Sequence, residues 1–519
     1  MNDRLKQKLK FETFTEFCNR ADEILDAMLK DEEIAKLNQA IVDGSGTMVF
    51  DLETIEDNLS RTQKEITDSL ASETIPTRNL YIDGNKINNT EYFTKLKNAI
   101  KETGYNSNEK KAYYAIAVKR ADIKSWPTID VIGYNATDPD DEMESSALNV
   151  NEPFIILGKC EIDGEIYYWG YSNNCTGWVY GKNLAIVDDK NKWVDAWKVE
   201  RDGNDFIVVT KDKVVLEKSI LEPSTSEVKL TIGTILKLVP DTELPKQVKE
   251  RGTYNNYVVY LPTRNEEGKY ERKIALISEH EGVNVGFLSL TQGNILDVAF
   301  SCLGDRYGWG GMLDAMDCSL YTRLVYKCFG LELPRNTTWQ QKTPEKVTDL
   351  SKLTDEDKQE YLEEIHIGSL LYFPGHTMIY IGNKDGISYV ISAVGRFSEP
   401  SGDLNVVKVY SIVDNPLTTR RQNGYTWLSQ ISAALSLKDI TPKTYEYIKG
   451  ENQIVNISKD IDDNEETEQS KNVELRESNQ KKQEHENNKG INNPKTGDNV
   501  AVWLSLMLIS ILGLAETVK

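Results

Sequence analysis

Residues that build metal sites are scarce in this sequence, which has six cysteines and four histidines in 519 residues. No two cysteines form a Cys-x-x-Cys pair, a spacing that structural zinc sites commonly use, so the sequence predicts no metal site. The even number of cysteines leaves disulfides open. Cys160 and Cys175 flank a predicted hairpin, where they either pair or remain reduced thiols that fill space in the core.

Positive charge is also scarce, because 61 lysines and arginines face 82 aspartates and glutamates, giving a net charge of −21. This balance argues against a nucleic-acid partner, which would require a basic surface.

The first ten residues are charged and lack the apolar run of a secretory signal peptide, so no signal peptide is visible. A chain of this length exceeds what one hydrophobic core usually organises, so we expect several domains.

Apolar periodicity and composition divide the chain into segments. Helical spacing of apolar residues such as Ile34, Leu37 and Ile41 predicts a helical supporting domain at the start. Two series of short apolar strands bounded by turn residues then predict two small β-barrels. A helix followed by strands predicts an α+β domain, and a polar stretch from about residue 450, without aromatic residues, predicts a disordered linker. The expected boundaries are 1–108 (helical), 109–189 and 190–289 (barrels), 290–437 (α+β), 438–492 (linker) and 493–519 (a C-terminal signal with an apolar tail).

The strongest chemical signal is Cys318, which stands between Asp317 and Ser319 at the start of a predicted helix. A thiol at a helix N-terminus meets unpaired backbone N–H groups and the positive end of the helix dipole. Both favour the thiolate, which is the nucleophilic form. Asp and Ser are also favoured capping residues at this end of a helix. We interpret Cys318 as a candidate nucleophile whose backbone N–H contributes to an oxyanion hole.

His376 follows Gly375 and opens a predicted apolar strand. An imidazole beside the thiol would take its proton and later protonate a leaving amine, whereas the alternative role is a packing histidine.

Five motifs in order carry a resemblance to NlpC-type cysteine peptidases, papain-like enzymes that cut peptidoglycan stem peptides. They are Tyr307-x-Trp309-Gly310-Gly311, Asp317-Cys318-Ser319, Leu333-Pro334-Arg335, Gly368-Ser369-Leu370-Leu371-Tyr372-Phe373 and His376-x-x-x-Tyr380-Ile381-Gly382. The resemblance implies a papain-like catalytic domain preceded by two bacterial SH3-like barrels. It implies catalysis by Cys318, His376 and a third polar residue, with Ser392, on the next predicted strand, where relatives often have His. A Ser hydroxyl is able to accept the imidazole N–H but orients the ring less strongly than a charged or ring acceptor. Either Ser392 is this third catalytic group, or it is an ordinary strand residue while water or a backbone carbonyl orients His376. The resemblance further implies substrate binding by Tyr307, Trp309, Asp317 and Ser319, of which Asp317 and Ser319 would hold the free amino group of an N-terminal L-Ala.

The C-terminus resembles a Gram-positive cell-wall sorting signal. Asn493-Pro494-Lys495-Thr496-Gly497 precedes an apolar run from Val500 to Leu514, and Lys519 is last. The resemblance implies a sortase as partner and an extracellular location on the cell wall, with cleavage after Thr496. The pentapeptide departs from the family in having Asn493 where Leu is usual. A short membrane anchor or a chance apolar tail is the alternative.

These features predict a surface-anchored cysteine endopeptidase that uses neither metal nor cofactor. The resemblance implies cleavage of the bond between γ-D-Glu and the diamino acid in stem peptides with a free N-terminal L-Ala. The alternative from another class is a wall-binding protein whose SH3-like pair matters while the papain-like domain is weak or inactive, an alternative favoured by Ser392. An acyltransferase on the same papain-like core is a third option.

Overall fold

The computed structural model describes residues 26–438 of the protein. Residues 1–25 of the expected helical segment, nearly all of the linker, the sorting signal around Thr496 and the apolar tail lie outside the described residues. Among the helices of residues 26–438, none is both long and apolar enough to cross a bilayer.

The described part of the N-terminal segment contains three helices and a short hairpin. They are α1 (Asp31–Asp43), α2 (Gln63–Ala71), α3 (Asn89–Thr103), β1 (Tyr81–Ile82) and β2 (Asn85–Lys86). α2 begins at a capping box in which Thr62 and Glu65 each accept the other's backbone N–H. α1 packs into the core of the C-terminal domain, whereas α2 and α3 pack on the first β-sheet. These helices are therefore shared between two cores, and a separate helical domain that ends at residue 108 stays a prediction.

A seven-stranded antiparallel sheet follows the N-terminal helices. Its strands are β3 (Tyr113–Ala117), β4 (Ala121–Lys124), β6 (Glu144–Leu148), β7 (Pro153–Ile162), β8 (Glu165–Tyr171), β9 (Thr176–Tyr180) and β10 (Leu184–Val187), while β5 (Ile132–Gly133) pairs with β1. The order across the sheet is β10-β3-β7-β8-β9-β4-β6. Gly170 is required in β8, because any Cβ there would overlap the backbone carbonyl of Ile155 on β7. The apolar runs predicted as strands are confirmed, and the SH3-like identity of this sheet stays a prediction.

The second β-rich segment consists of several small sheets around one core. After α4 (Lys190–Trp197) its strands are β11 (Phe206–Val209), β12 (Lys213–Val215), β13 (Lys229–Thr231), β14 (Ile235–Lys237), β15 (Gln247–Val248), β16 (Arg251–Gly252), β17 (Asn256–Arg264), β18 (Tyr270–Ser278) and β19 (Val283–Val285). β11 lies between β14 and β19, and β17 forms a long hairpin with β18. The sheet that contains β11 and the β17–β18 hairpin pack their buried faces together. That this segment is a second SH3-like barrel also stays a prediction.

The C-terminal domain places a buried helix against an antiparallel sheet. Its helices are α5 (Gln292–Phe300), α6 (Cys318–Lys327), α7 (Thr337–Gln340), α8 (Asp355–Glu364) and α9 (Trp427–Gln430). Its strands are β20 (Val347–Asp349), β21 (Leu370–Phe373), β22 (His376–Lys384), β23 (Ile387–Ser398), β24 (Val406–Pro416) and β25 (Ala433–Leu435), in the order β20-β25-β21-β22-β23-β24. α6 packs on β22 and β23, and Leu324 of α6 is buried with Ile379 and Ile391 of the sheet. Burial of each such side chain contributes about 1.5–3 kcal/mol, so the helix is held firmly in place. The expected mixture of helix and sheet is confirmed.

Cys160 and Cys175 are both buried and free. They pack in different hydrophobic clusters, Cys160 among the residues under α2 and α3 and Cys175 on the opposite side of the sheet. Of the two alternatives left open by the sequence, the structure has reduced packing thiols.

Candidate active site

The candidate nucleophile is the first residue of α6. Asp317 caps this helix, since its Oδ1 accepts the N–H of Leu320 at 2.8 Å. The N–H of Cys318 belongs to the first helical turn, whose N–H groups have no acceptor within the helix. Every residue of α6 is buried, so the thiol and this N–H are held in a fixed position at the helix end.

His376 is the first residue of β22 and follows a tight turn at Gly375, where the φ angle of 79° suits a residue without a Cβ. The imidazole packs against the rings of Phe373 and Trp427, with centroids 5.1 and 5.2 Å away. Its Nε2 lies 3.1 Å from the Oγ of Ser392 on β23. This contact places the buried Ser392 where the first of its two alternative roles requires it.

Cys318 and His376 line one cleft. Tyr307 forms part of its wall and meets the ring of Tyr410 edge-on at 5.9 Å. Both Cys318 and His376 are only 3% exposed, so protein atoms cover most of their surface. The cleft is also lined by Phe373, Ala393, Val394, Gly395, Arg396, Phe397, Val406, Arg421, Gln422 and Trp427.

Burial determines the protonation state of the two reactive groups. It raises the pKa of the Cys318 thiol to about 12, an effect to which the negative charge of Asp317 adds and which the N–H of Thr377 only partly offsets. Burial also lowers the pKa of His376 to about 3, and the cation of Arg421 acts in the same direction. The pair is therefore a neutral thiol and a neutral imidazole in the substrate-free protein. In the substrate-free protein the loss of hydration thus outweighs the helix dipole, which by itself favours the thiolate.

Asp317 and Ser319 are bound by a buried arginine. The guanidinium of Arg335 donates to both carboxylate oxygens of Asp317, at 2.7 and 3.1 Å, and to the hydroxyl of Ser319 at 2.9 Å. It also donates to Ser146 Oγ at 2.8 Å and to the carbonyl of Gly310 at 3.0 Å. Burial alone would raise the pKa of Asp317, but Arg335 keeps it below its ordinary value. The two residues expected to hold a substrate amino group lie behind the cleft, where they already bind a cation of the chain itself.

Trp309 is not among the residues that line this cleft, and the substrate-binding role that the resemblance implies for it stays a prediction. Its half-buried side chain packs on the core of the domain. The next residue, Gly310, has a φ of 67° and abuts Glu144 of β6 so closely that a Cβ would overlap the Glu144 side chain. This contact joins the first sheet to the loop that precedes Cys318.

Glu144 is buried at this junction, and neither of its carboxylate oxygens has a hydrogen-bond partner within residues 26–438. Burial raises its pKa well above the ordinary value, and the negative charge of Asp122 adds to the shift. A carboxylate placed here without a donor is suited to receive a positively charged group.

The sequence did not single out Glu144, Arg335, Arg421 or Trp427 as site residues. The Leu333-Pro334-Arg335 motif pointed to Arg335 without indicating what it binds. Glu144 comes from the first sheet, and only the packing of that sheet against Gly310 brings it near the site. Nothing local distinguishes Arg421 from its neighbour Arg420 in the sequence.

A group of possible metal ligands lies away from the cleft. Asp212, Cys302 and Asp305 each bring one ligand atom to within 4.8 Å of the others. Burial raises the pKa of Asp305 to about 7, and the nearby Asp212 carboxylate adds to the shift. Two carboxylates and one thiol are fewer donors than the four of a structural zinc site. The absence of a metal from the reaction stays a prediction.

Comparison with known proteins agrees with this geometry. Residues 304–401 match the NlpC/P60 family. The fold is similar to that of an NlpC/P60 endopeptidase from Photobacterium damselae subsp. piscicida, with a TM-score of 0.58 and 15% sequence identity over 82% of this chain and 97% of that chain. An NlpC/P60 family protein from Bacillus cereus ATCC 10987 aligns with 16% identity over 63% of this chain and 100% of that chain, at a TM-score of 0.41. No curated protein matches the chain.

The matched range contains Tyr307, Cys318, His376 and Ser392 and ends before Arg421. The resemblance to NlpC-type peptidases is therefore confirmed for this part of the chain, whereas the SH3-like domains and the sorting signal stay predictions. Residues 304–401 form an NlpC/P60 domain.

Proposed function

We propose that this protein is a cell-wall hydrolase, a cysteine endopeptidase that cleaves the γ-D-glutamyl–diamino acid bond of peptidoglycan stem peptides. The observation that carries the proposal is the shared cleft in which Cys318, at the start of α6, faces the same space as His376. The hydroxyl of Ser392 supports it, because this group lies 3.1 Å from the Nε2 of His376 and can orient the ring.

Ser392 fixes which nitrogen of His376 acts as the base. A neutral imidazole has one N–H and one lone pair. If Nε2–H donates to Ser392 Oγ, the lone pair is on Nδ1 and is available to the thiol. Because the substrate-free pair is neutral, Cys318 transfers its proton to His376 as the sulfur attacks the scissile carbonyl, and imidazolium forms only during the reaction.

Acylation and deacylation use the same two groups. Attack of the Cys318 sulfur on the γ-carbonyl carbon gives a tetrahedral oxyanion, which the N–H of Cys318 at the start of α6 stabilises. The oxyanion collapses as the C–N bond breaks, and His376 gives its proton to the leaving amine of the diamino acid. Water then attacks the thioester with His376 as base, and the released carboxylic acid leaves Cys318 as a thiol again. Burial raises the pKa of Tyr307 well above its ordinary value, so its hydroxyl stays protonated and can donate to the substrate or the oxyanion.

The substrate we propose carries a free N-terminal L-Ala. The sequence assigned its amino group to Asp317 and Ser319, but Arg335 already donates to both. Glu144 is the better receptor, because its buried carboxylate has no hydrogen-bond donor within residues 26–438. An ammonium beside it would supply the hydrogen-bond donors that this group lacks and would favour its ionised form. Asp317, Ser319 and Arg335 would then act as the rigid support of the nucleophile.

We further propose that the protein acts on the outside of a Gram-positive cell, anchored to the wall by a sortase that recognises Asn493, Pro494, Thr496 and Gly497. The support is the sequence alone, since these residues lie outside the described range. Cell fractionation would test this location: the parent should remain with the wall, and Thr496→Ala should move the protein to another fraction. An unchanged distribution would contradict sortase anchoring.

The proposed reaction is tested with the full chain and the peptide L-Ala-γ-D-Glu-diaminopimelate-D-Ala, with products read by mass spectrometry. Release of L-Ala-D-Glu is expected from the parent and absent with Cys318→Ala. Cys160→Ala is the matched control, since that thiol is also buried but lies in the first sheet. Failure of the parent to cleave either this peptide or intact cross-linked wall would contradict the enzyme and favour the wall-binding alternative.

A further inference from the structure

The cleft carries positive charge from a part of the chain that lies beyond the family match. Arg421 belongs to the turn between β24 and α9, where its backbone N–H donates to the Tyr425 carbonyl at 2.9 Å. Its own carbonyl accepts the N–H of Gly424 at 2.8 Å, which closes the turn. The turn fixes the backbone of Arg421 at the mouth of the cleft that contains Cys318 and His376.

The guanidinium of Arg421 lies 5.4 Å from the centre of the Phe373 ring. Within residues 26–438 it forms no hydrogen bond or ion pair, and burial lowers its pKa. Its neighbour Arg420 differs in this respect, because that side chain donates to the carbonyls of Glu399, Gly402 and Asp403 at 2.8, 2.9 and 3.1 Å. Arg421 is thus a partly desolvated cation that faces the cleft without an anion, a costly arrangement unless a ligand supplies one.

The charge of the cleft wall also favours an anionic ligand. Arg396 and Arg421 both line it, and the lining set contains no aspartate or glutamate. A partly enclosed site lined by one sign of charge concentrates groups of the opposite sign. The cleft therefore favours a substrate with an anionic group near His376.

The position of Arg421 relative to the two reactive groups indicates which part of the substrate it meets. Its guanidinium lies 5.4 Å from the centre of the Phe373 ring, and the centroid of that ring is 5.1 Å from that of the His376 imidazole, so Arg421 lies on the His376 side of the cleft. In the reaction proposed above, His376 protonates the leaving amine, so the leaving half of the substrate lies on the His376 side of the scissile bond.

We propose that Arg421 is a specificity-determining residue that binds a carboxylate of the leaving diamino acid. The inference rests on the proposed function. Diaminopimelate carries a side-chain carboxylate that lysine lacks, and either diamino acid carries a main-chain carboxylate when it ends the peptide. A guanidinium recognises either carboxylate by paired, charge-assisted hydrogen bonds. Hydrogen bonds to charged groups correspond to about a ten- to hundredfold preference in kcat/KM for the carboxylate over an uncharged counterpart.

The test uses the full chain and three peptides that begin with L-Ala-γ-D-Glu. The first continues with diaminopimelate and D-alanine amide, so its anion on the leaving side is the side-chain carboxylate. The second ends in lysine with a free main-chain carboxylate, and the third ends in lysine amide and has no carboxylate on this side. The parent should cleave the first or the second about ten- to hundredfold faster in kcat/KM than the third, and the faster peptide identifies the carboxylate bound.

Arg421→Gln should remove this preference, so that the ratio of kcat/KM between the faster peptide and the third peptide falls to about one. Arg421→Lys should retain part of it, because a lysine keeps the charge but not the fork of donors. Arg420→Gln is the matched control and should keep the ratio of the parent. A parent that cleaves all three peptides alike, or an Arg421→Gln variant with an unchanged ratio, would overturn the role of Arg421 alone. A parent that cleaves none of them would overturn the proposed reaction together with it.

Discussion

Replacement of Arg335 by methionine should strongly destabilise the C-terminal domain. The side chain is 2% exposed and its partner Asp317 is 9% exposed, so the charged pair is shielded from water. Methionine keeps much of the volume of arginine but removes the hydrogen bonds to Asp317, Ser319, Ser146 and Gly310. Loss of one partner from a buried ion pair costs about 3–5 kcal/mol, because the other charge stays buried without compensation. We expect a loss of this size in the free energy of unfolding.

The double variant Asp317→Asn/Arg335→Met separates the lost charge pair from the lost packing. With the carboxylate gone there is no uncompensated charge, and an asparagine at the helix start can still accept the N–H of Leu320. We therefore expect the double variant to lose less free energy of unfolding than the two single variants lose together, by about 2 kcal/mol or more.

Urea unfolding of the full chain, followed by tryptophan fluorescence, measures these differences. Arg306→Met is the control, because Arg306 is an exposed arginine of the same domain, and its loss should change stability by no more than about 0.5 kcal/mol. The pH dependence adds a second readout. Arg335 keeps the pKa of Asp317 low in the parent, so this stabilisation is present at neutral pH and lost as the pH falls through the acid range of Asp317. The penalty of Arg335→Met should shrink over the same range. Additive single variants, or a penalty independent of pH, would refute the role given to this pair.

Three further outcomes follow from the site. Ser392→Ala should lower kcat about five- to tenfold with little change in KM, as expected for one lost hydrogen bond to His376. Ser388→Ala, on the same strand, should leave kcat unchanged, and equal effects of the two substitutions would contradict the orienting role of Ser392. Because the pKa of His376 is lowered to about 3, kcat/KM of the parent should not fall as the pH is lowered past the ordinary histidine pKa of about 6.5. A fall in kcat/KM on acidification between about pH 7.5 and 5 would contradict the neutral pair. Glu144→Gln should reduce the preference for a free over an acetylated N-terminal L-Ala by about tenfold, and an unchanged ratio would exclude Glu144 as the amine receptor.

The neutral state of Cys318 and His376 changes what thiol reactivity can reveal. A cysteine whose pKa is raised to about 12 reacts slowly with alkylating reagents at neutral pH, even in an active enzyme. Slow alkylation of Cys318 therefore does not separate an active peptidase from a wall-binding protein with an inactive domain. Turnover of a peptide substrate does separate them.

The elements that position Cys318 and His376 were predictable because their signals are local. A capping residue before an apolar helical pattern marks the start of α6, and a glycine before an apolar run marks the start of β22. The antiparallel pairing of β22 with β23 then brings Ser392 to the imidazole, which agrees with its place on the next predicted strand.

The protonation of the site and the partners of Asp317 could not be predicted in this way. The helix start favours a thiolate, but the pKa of Cys318 depends on how completely the fold excludes water from it. Asp317 looked available to a substrate because the sequence does not show that Arg335 folds back against it. Glu144 and Arg421 reach the site only through contacts between distant parts of the chain.

Trapping the acyl-enzyme would test the nucleophilic role of Cys318 directly. The full chain is mixed briefly with L-Ala-γ-D-Glu-diaminopimelate-D-Ala, quenched in acid and digested, and the peptide that contains Cys318 is examined by mass spectrometry. In the parent we expect an L-Ala-γ-D-Glu group joined to Cys318 as a thioester, and in His376→Ala no such adduct. Cleavage of the peptide with the acyl group on another residue, or with no dependence on His376, would contradict the proposed mechanism.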